Sequence, residues 1–171
     1  MGEIPYIRVS DIVNWELYRN PITGVPRHIY EKTKGRNGVN LQAQDVVFVR
    51  RGSYRIGTVA MASPHDKEVL LTRELVVMRV VRPDNKYGID AYYLLYLLSH
   101  HTTQHQIAQK VFIDTTLPNI AERWQELLLP VQDSADERAR ITRRIKDAID
   151  AKWRALEAVS ELRKEYGGLT T

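Results

Sequence analysis

The segment from Asp136 to Tyr166 constrains the fold more than any other part of this sequence. It contains neither glycine nor proline, and one set of positions recurs at alternating steps of four and three residues. These positions are Ile141, Ile145, Ala148, Lys152, Ala155, Val159, Leu162 and Tyr166. Such a heptad seam predicts a single helix about 45 Å long with coiled-coil character. Because a small domain cannot cover a helix of that length, we expect part of its apolar face to contact a partner helix.

The apolar stripe of this helix is wider than a strict heptad seam, because Ile149, Trp153 and Leu156 lie beside it. A wider stripe suits packing against more than one neighbour. The predicted helix interface comprises Ile141, Ile145, Ala148, Ile149, Trp153, Leu156, Val159 and Leu162. An alternative is that the helix folds back on its own domain. We predict a globular domain over residues 1–132 and a helical segment over residues 133–171.

The globular part mixes strand and helix patterns. Residues 89–110 predict a helix broken near His101–Thr103, and residues 19–40 predict a loop interrupted by a short RHIY strand. Residues 110–120 predict a short strand and a turn, and ELVVMRVV is expected to be buried on both faces. The other apolar runs that predict strands are PYIRV (5–9), DVVFVRR (45–51), TVAMA (58–62) and WQELLLPV (124–131). Together these patterns predict an α/β (α+β) domain with a mixed sheet.

The positive charge of the chain is concentrated in its first third. Residues 1–60 hold nine Lys and Arg against five Asp and Glu, which gives +4, whereas the next two parts balance to −1 and +1. This distribution favours an acidic partner for the first third. A solvated surface without a ligand would show the same bias.

The sequence lacks the motifs of the enzymes that act on DNA. It has no GxxxxGK phosphate loop, and NPI at 20–22 is not the Pro-Pro-aromatic motif of an amino-methyltransferase. Asp45, Asp66, Glu68 and Asp84 form no recognisable Mg²⁺-binding pattern. His101 and His105 are four residues apart, but without the glutamate of an HExxH motif they do not predict a metal site. We therefore expect no catalysis, no metal and no cofactor in this chain.

Localisation and redox state follow from what the chain contains. No stretch reaches the roughly 18 apolar residues of a membrane span, and the N-terminus lacks a secretory pattern. Cysteine is absent, so disulfides are excluded. We expect a cytoplasmic protein without a membrane partner.

Several predicted loops combine arginines with small polar and aromatic residues. Arginine contacts phosphates or guanine, and hydroxyl groups contact either base edge, so such loops suit a DNA groove. The densest cluster is RRGSYR at 50–55, for which a solvated hairpin tip is the alternative interpretation. The candidate DNA-binding residues are Arg8, Ser10, Arg27, Arg50, Arg51, Ser53, Tyr54 and Arg55.

Four segments, in this order, resemble one family, the specificity subunits of Type I restriction-modification systems and related methyltransferase-fused recognition domains. They are IPYIRVSDI (4–12), LQAQDVVFVRRGSYRIGTVAM (41–61), YYLLYLLSH (92–100) and TTLPNIAERWQELLLPV (115–131). The family commonly continues with Pro-Pro, acidic residues and Gln, where this chain has QDSADERARI. The family also carries two recognition domains and two long helices, whereas this chain has one of each.

The resemblance implies a target recognition domain that reads one half of a split site in double-stranded DNA. The long helix then acts as a spacer and as a docking surface for an adenine-N6 DNA methyltransferase, and S-adenosylmethionine belongs to that partner. A lone copy is expected to form a homodimer through the helix. The alternatives are a C-terminal recognition domain of a single-chain restriction or phage-defence methyltransferase, a non-DNA interaction domain that dimerises through the helix, and a divergent nuclease.

Overall fold

A computed structural model describes residues 2–34, 40–52, 54–66, 68–82, 84–114 and 116–167 of the chain. The chain divides into two compact units, Met1–Val131 and Gln132–Thr171. The strands of the first unit are β1 (Ile4–Ile7), β2 (Ile12–Val13), β3 (Glu16–Leu17), β4 (Gly24–Val25), β5 (Val46–Val49), β6 (Val59–Met61), β7 (Leu70–Leu71), β8 (Leu75–Met78), β9 (Phe112–Asp114) and β10 (Leu117–Asn119). Its helices are α1 (Arg27–Thr33), α2 (Ala91–Ser99) and α3 (His101–Lys110), with 3₁₀ helices at Val9–Asp11 and Ala121–Glu126.

Two three-stranded sheets and two small hairpins organise the strands. In one sheet β1 pairs antiparallel with β4 and parallel with β7, and in the other β5 lies between β6 and β8 in antiparallel pairing. The hairpins are β2–β3 and β9–β10. Parallel and antiparallel pairs thus occur together with helices, which confirms the predicted α+β class.

The core lies around β5, whose four residues are all buried because the strand is paired on both edges and covered by α2. Buried residues of β1, β6 and the segment before β7 join this core, among them Ile7, Ala60 and Val69. The expectation that ELVVMRVV would be buried on both faces is wrong. In the part of the chain that the structure describes, β8 is paired on one edge only, and of its residues Leu75 alone is buried.

The helical pattern of residues 89–110 is confirmed, including its break. α2 ends at Ser99, and His100, in an extended conformation, both ends α2 and caps α3. Asp90 caps α2 by accepting a hydrogen bond from the backbone N–H of Tyr93 at 2.8 Å. The apolar face of α2 packs against β5 and β6.

The predicted RHIY strand is wrong, because Arg27–Thr33 is a helix. Pro26 precedes it in an extended conformation, and seven residues without glycine or proline follow. The helix buries Tyr30, and the Thr33 hydroxyl donates to the carbonyl of Ile29 at 2.7 Å. The segment is therefore a short helix with one buried aromatic side chain.

The predicted WQELLLPV strand is also wrong. Ala121–Glu126 is a 3₁₀ helix, and residues 127–131 pair with no strand among the described residues. The side chain of Gln106 replaces the missing strand partner: its Oε1 accepts from the backbone N–H of Leu128 at 2.9 Å, and its Nε2 donates to the carbonyl of Leu128 at 2.8 Å. A side chain from α3 thus satisfies backbone groups that a sheet would otherwise pair.

Three buried aspartates stabilise turns by accepting hydrogen bonds from backbone N–H groups. Asp11, Asp45 and Asp66 each accept a hydrogen bond from the backbone N–H three residues earlier, at 2.7–2.8 Å. Each also accepts from an arginine, and the closest contact joins Arg79 Nε to Asp45 at 2.6 Å. The side-chain hydrogen bond to Asp45 raises the pKa of Arg79 above its usual value. These three carboxylates therefore have structural roles, because each stabilises a turn and pairs with an arginine.

In its described part, residues 132–167, the second unit contains one helix, α4 (Ala135–Glu165), as predicted. Ser134 begins it by accepting from the backbone N–H of Glu137, and two acidic residues occupy the first turn, where they suit the positive end of the helix. Among the described residues, no helix is both long and apolar enough to cross a membrane.

Candidate nucleic-acid interface

The loop that joins β5 to β6 carries most of the predicted DNA-binding residues. Two hydrogen bonds close its base: Gly57 N–H donates to the Val49 carbonyl at 2.9 Å, and Val49 N–H donates to the Thr58 carbonyl at 3.0 Å. Gly57 has a φ of 91°, and a Cβ at this position would lie 3.1 Å from Ile107. Only glycine fits this conformation without strain. The base of the loop is therefore anchored to α3.

The first side of the loop is fixed by a neighbouring segment. Gly52 N–H donates to the Pro118 carbonyl at 3.1 Å, and Ile120 N–H donates to the Arg50 carbonyl at 3.0 Å. A Cβ on Gly52 would lie 3.2 Å from Val9, which shows how closely the loop passes the 3₁₀ helix at Val9–Asp11. The loop is thus a supported element, with β10 on one side and the 3₁₀ helix at Val9–Asp11 on another.

Arg55 and Tyr54 form the tip of this loop. Arg55 Nη1 donates to the Ile12 carbonyl at 3.0 Å, and its guanidinium carbon lies 5.6 Å from the centre of the Tyr54 ring. The Tyr54 side chain is 88% exposed. An aromatic ring this exposed has surface available for a ligand. The tip therefore presents a cation and an aromatic ring together.

Arg50 and Arg51 lie at the start of the loop and differ in their contacts. Arg50 Nη1 donates to Glu122 at 2.9 Å. The buried Nε of Arg51 has no hydrogen-bond partner among the described residues. An unsatisfied donor of this kind is costly, because it loses water without gaining a partner.

The predicted residues Arg8 and Ser10 lie beside the loop. Both side chains contact the buried Asp11: Arg8 Nε at 3.2 Å and Ser10 Oγ at 3.3 Å. The Arg8 side chain remains 44% exposed. The structure therefore brings Arg8, Ser10, Arg50, Arg51, Tyr54 and Arg55 together. We call this set the loop cluster.

The ion-pair partners of Arg27 lie outside the loop cluster. Ser53 lies outside the described residues. On α1, Arg27 pairs with Glu68 and with Glu3, each at 3.3 Å. The hydrogen bond and the charge of Glu68 raise the pKa of Arg27, and Glu3 adds a smaller contribution. Arg27 remains a prediction as a DNA contact.

Sequence reasoning missed Arg73, which lies in the turn between β7 and β8. Thr72 N–H donates to the Ile7 carbonyl at 3.0 Å, and this bond places the turn directly beside Arg8. A charged residue between two apolar runs was the available signal. The position of Arg73 beside Arg8 depends on the parallel pairing of β1 and β7. Tyr6 pairs with Leu70, so this pairing links residues 64 positions apart.

The predicted helix interface of α4 is exposed toward its C-terminal end. Ala148, Leu156, Val159 and Leu162 are exposed, Ile141, Ile145 and Trp153 are half-buried, and Ile149 is buried. Leu156, Val159 and Leu162 are 43%, 46% and 47% exposed. Among the described residues, no three histidine or acidic side chains gather as they would around a metal ion.

The comparisons with known proteins show a likeness of fold. No family model and no curated protein matches the sequence. Among solved structures, the crystal structure of the Type-I restriction-modification system S subunit from M. genitalium is similar, with a TM-score of 0.57 and 18% sequence identity. The match covers 96% of this chain and 36% of that structure. The chain thus has the fold of about a third of that structure.

Proposed function

We propose that this chain is a sequence-specific DNA recognition module that directs a partner adenine-N6 DNA methyltransferase or restriction complex to its site. The observation that carries the proposal is the loop cluster: a supported loop that presents arginines and an exposed tyrosine side by side. The likeness of fold to a Type I S subunit supports the same function.

The chemistry of the cluster suits double-stranded DNA. Arg55 uses one of its five N–H donors on the Ile12 carbonyl, which fixes the side chain while other donors remain for a base or a phosphate. To bind a phosphate, Arg50 gives up its surface ion pair with Glu122, and the loss of such a pair costs about 1 kcal/mol or less.

In this proposal the two units have different functions. The first unit reads DNA, and α4 separates two recognition units and docks on the methyltransferase, which binds S-adenosylmethionine. The chain itself then chooses the site and catalyses nothing. The exposed apolar residues of α4 support a docking role, because such residues are usually covered by a partner.

Two other functions remain as alternatives. The same unit would serve as the C-terminal recognition domain of a single-chain restriction or phage-defence methyltransferase, which suits a chain that spans 36% of its structural neighbour. The exposed face of α4 would also suit a non-DNA interaction domain. Salt-dependent binding of duplex DNA separates that domain from both DNA-reading functions.

The test begins with selection of a target from randomised duplexes by the full chain. Arg51→Ala and Arg55→Ala are then compared with Arg163→Ala, which removes the same charge from the last turn of α4. Loss of a base contact is expected to cost about 1–3 kcal/mol and to relax specificity at one position. Wild-type protein that binds no duplex DNA, even at low salt, would overturn the proposal.

The partner is tested separately. The chain is co-expressed with the methyltransferase reading frame nearest to it, and adenine methylation is mapped at the selected site. We expect methylation that requires both proteins and that is lost in Arg51→Ala or Arg55→Ala. Methylation at the same site without this chain would contradict its role in directing the enzyme.

A further inference from the structure

A pocket of about 300 Å³ lies beside the loop cluster and shares Arg50 with it. The turn between β7 and β8 forms one wall, closed by a hydrogen bond from Leu75 N–H to the Thr72 carbonyl at 3.2 Å. Arg50 forms the next wall: its backbone N–H donates to the Glu74 carbonyl at 3.0 Å, and its Nη2 donates to the Arg73 carbonyl at 3.4 Å. The end of α1 completes the pocket.

Three cations surround this pocket: Lys34, Arg50 and Arg73. Arg73 is exposed and has no ion pair among the described residues. Lys34 pairs with Glu31, whose hydrogen bond raises the pKa of the lysine, and Arg50 pairs with Glu122. Both pairs are exposed, so an entering anion can replace either carboxylate at small cost.

The position of an anion within the pocket follows from the backbone. Lys34 follows the C-terminal end of α1, where unpaired carbonyls carry partial negative charge. Among the described residues, no helix ends between Arg50 and Arg73, so no helix C-terminus repels an anion there. An anionic group is therefore most stable between the two arginines. The Thr72 hydroxyl already donates its proton to the Glu74 carboxylate, so the two guanidinium groups supply the hydrogen-bond donors.

Besides the cations, the lining comprises two threonines and an apolar surface formed by Leu70, Leu71, Leu75 and Val77; the threonines are Thr33 and Thr72. A bare phosphate would leave this surface uncovered, and the pocket is several times larger than a phosphate group. The lining therefore fits a ligand in which an apolar body is joined to an anion. A deoxyribose with its phosphate has this composition, because the sugar ring presents C–H groups and the phosphate carries the charge.

We propose that the pocket binds one sugar-phosphate unit of the DNA backbone, with the phosphate between Arg50 and Arg73 and the sugar against Leu70 and Leu75. This assignment rests on the proposed function. It adds a contact that carries no sequence information and that fixes the position of the duplex while the loop cluster reads bases.

The experiment compares Arg73→Ala with Arg82→Ala in the full chain. Both arginines are exposed, but Arg82 does not line the pocket. Binding to the selected target and to a duplex of unrelated sequence is measured over a range of salt. For Arg73→Ala we expect the slope of log K against log salt to fall by about one and affinity near 0.15 M salt to fall about fivefold, equally for both duplexes. Arg82→Ala should bind as the wild type does.

Four outcomes would overturn the pocket assignment. If Arg73→Ala binds as the wild type does while the wild type still binds its target, the pocket fails and the proposed function stands. If Arg73→Ala and Arg82→Ala weaken binding equally, the loss of affinity reflects the overall positive charge of the protein and not a contact in the pocket. If deoxyadenosine monophosphate shifts the NMR signals of Arg73 and the leucine methyl groups but Arg73→Ala leaves duplex binding unchanged, the ligand is a free nucleotide. Wild-type protein that binds no DNA would overturn both proposals.

Discussion

The indole nitrogen of Trp15 donates a hydrogen bond to the hydroxyl of Ser99 at 2.9 Å and joins the β2–β3 hairpin to the end of α2. The two turn residues of that hairpin, Asn14 and Trp15, have φ values of 49° and 65°. Positive φ at a bulky tryptophan is strained and persists only where the surroundings enforce it. The carbonyl of Trp15 also accepts from Met61 N–H at 3.0 Å, so both ends of the residue are held.

Ser99→Ala is expected to destabilise the protein by about 1–2 kcal/mol, because the indole N–H loses its partner in a partly buried position. The measurement is the free energy of unfolding from urea denaturation. Ser160→Ala removes an exposed hydroxyl from α4 and should change stability by about 0.5 kcal/mol or less. Equal effects of the two substitutions would show that the Trp15 contact does not hold the hairpin.

Gly57→Ala is expected to cost about 1–3 kcal/mol, since alanine is strained at a φ of 91° and its Cβ would press on Ile107. Because this glycine closes the base of the loop, DNA affinity should fall more than stability alone explains at temperatures where the protein stays folded. Gly167→Ala serves as the control, since a Cβ there meets nothing within 4 Å. Unchanged DNA affinity in a folded Gly57→Ala protein would argue against a preformed reading loop.

Sequence patterns predicted the fold class, the long helix and the broken helix pair, because each depends on contacts that repeat along a short stretch. The RHIY and WQELLLPV predictions failed for the opposite reason. The first segment became helical around buried Tyr30, and the second is held by Gln106 from another helix. The Gln106 contact joins positions 22 residues apart and leaves no local pattern.

The same distinction applies to the candidate site. Residues 50–55 were identified because arginine, tyrosine and glycine are adjacent in the sequence. The role of Arg73 depends on the parallel pairing of β1 with β7, and that of Glu122 depends on its ion pair with Arg50. Neither relationship can be read from composition or periodicity.

The ion pair between Lys110 and Glu126, 2.7 Å apart, should make stability depend on pH. The hydrogen bond from Lys110 lowers the pKa of Glu126 in the folded chain. A lowered folded pKa means that the contribution is present above the unfolded value, about 4.3 for glutamate, and is lost as pH falls through the folded value. Lys110→Met should therefore be less stable than the wild type near neutral pH and should approach it in acid.

This pH dependence is measured by urea denaturation at several pH values. Lys164→Met, on the last turn of α4, removes the same charge without touching this pair. A gap between Lys110→Met and wild type that stays constant from neutral pH into acid would indicate lost packing of the lysine stem instead of a lost ion pair.

The last prediction concerns α4, whose exposed apolar residues include Leu156, Val159 and Leu162. If two copies pair through the heptad seam, a charge at Val159 would be buried without a partner, which costs several kcal/mol. Val159→Glu should therefore convert a dimer into a monomer in sedimentation equilibrium. Ser160→Glu adds the same charge on the outer face and should leave the dimer intact. A wild-type chain that is monomeric at every concentration would contradict self-pairing and would leave the methyltransferase as the proposed partner for this face.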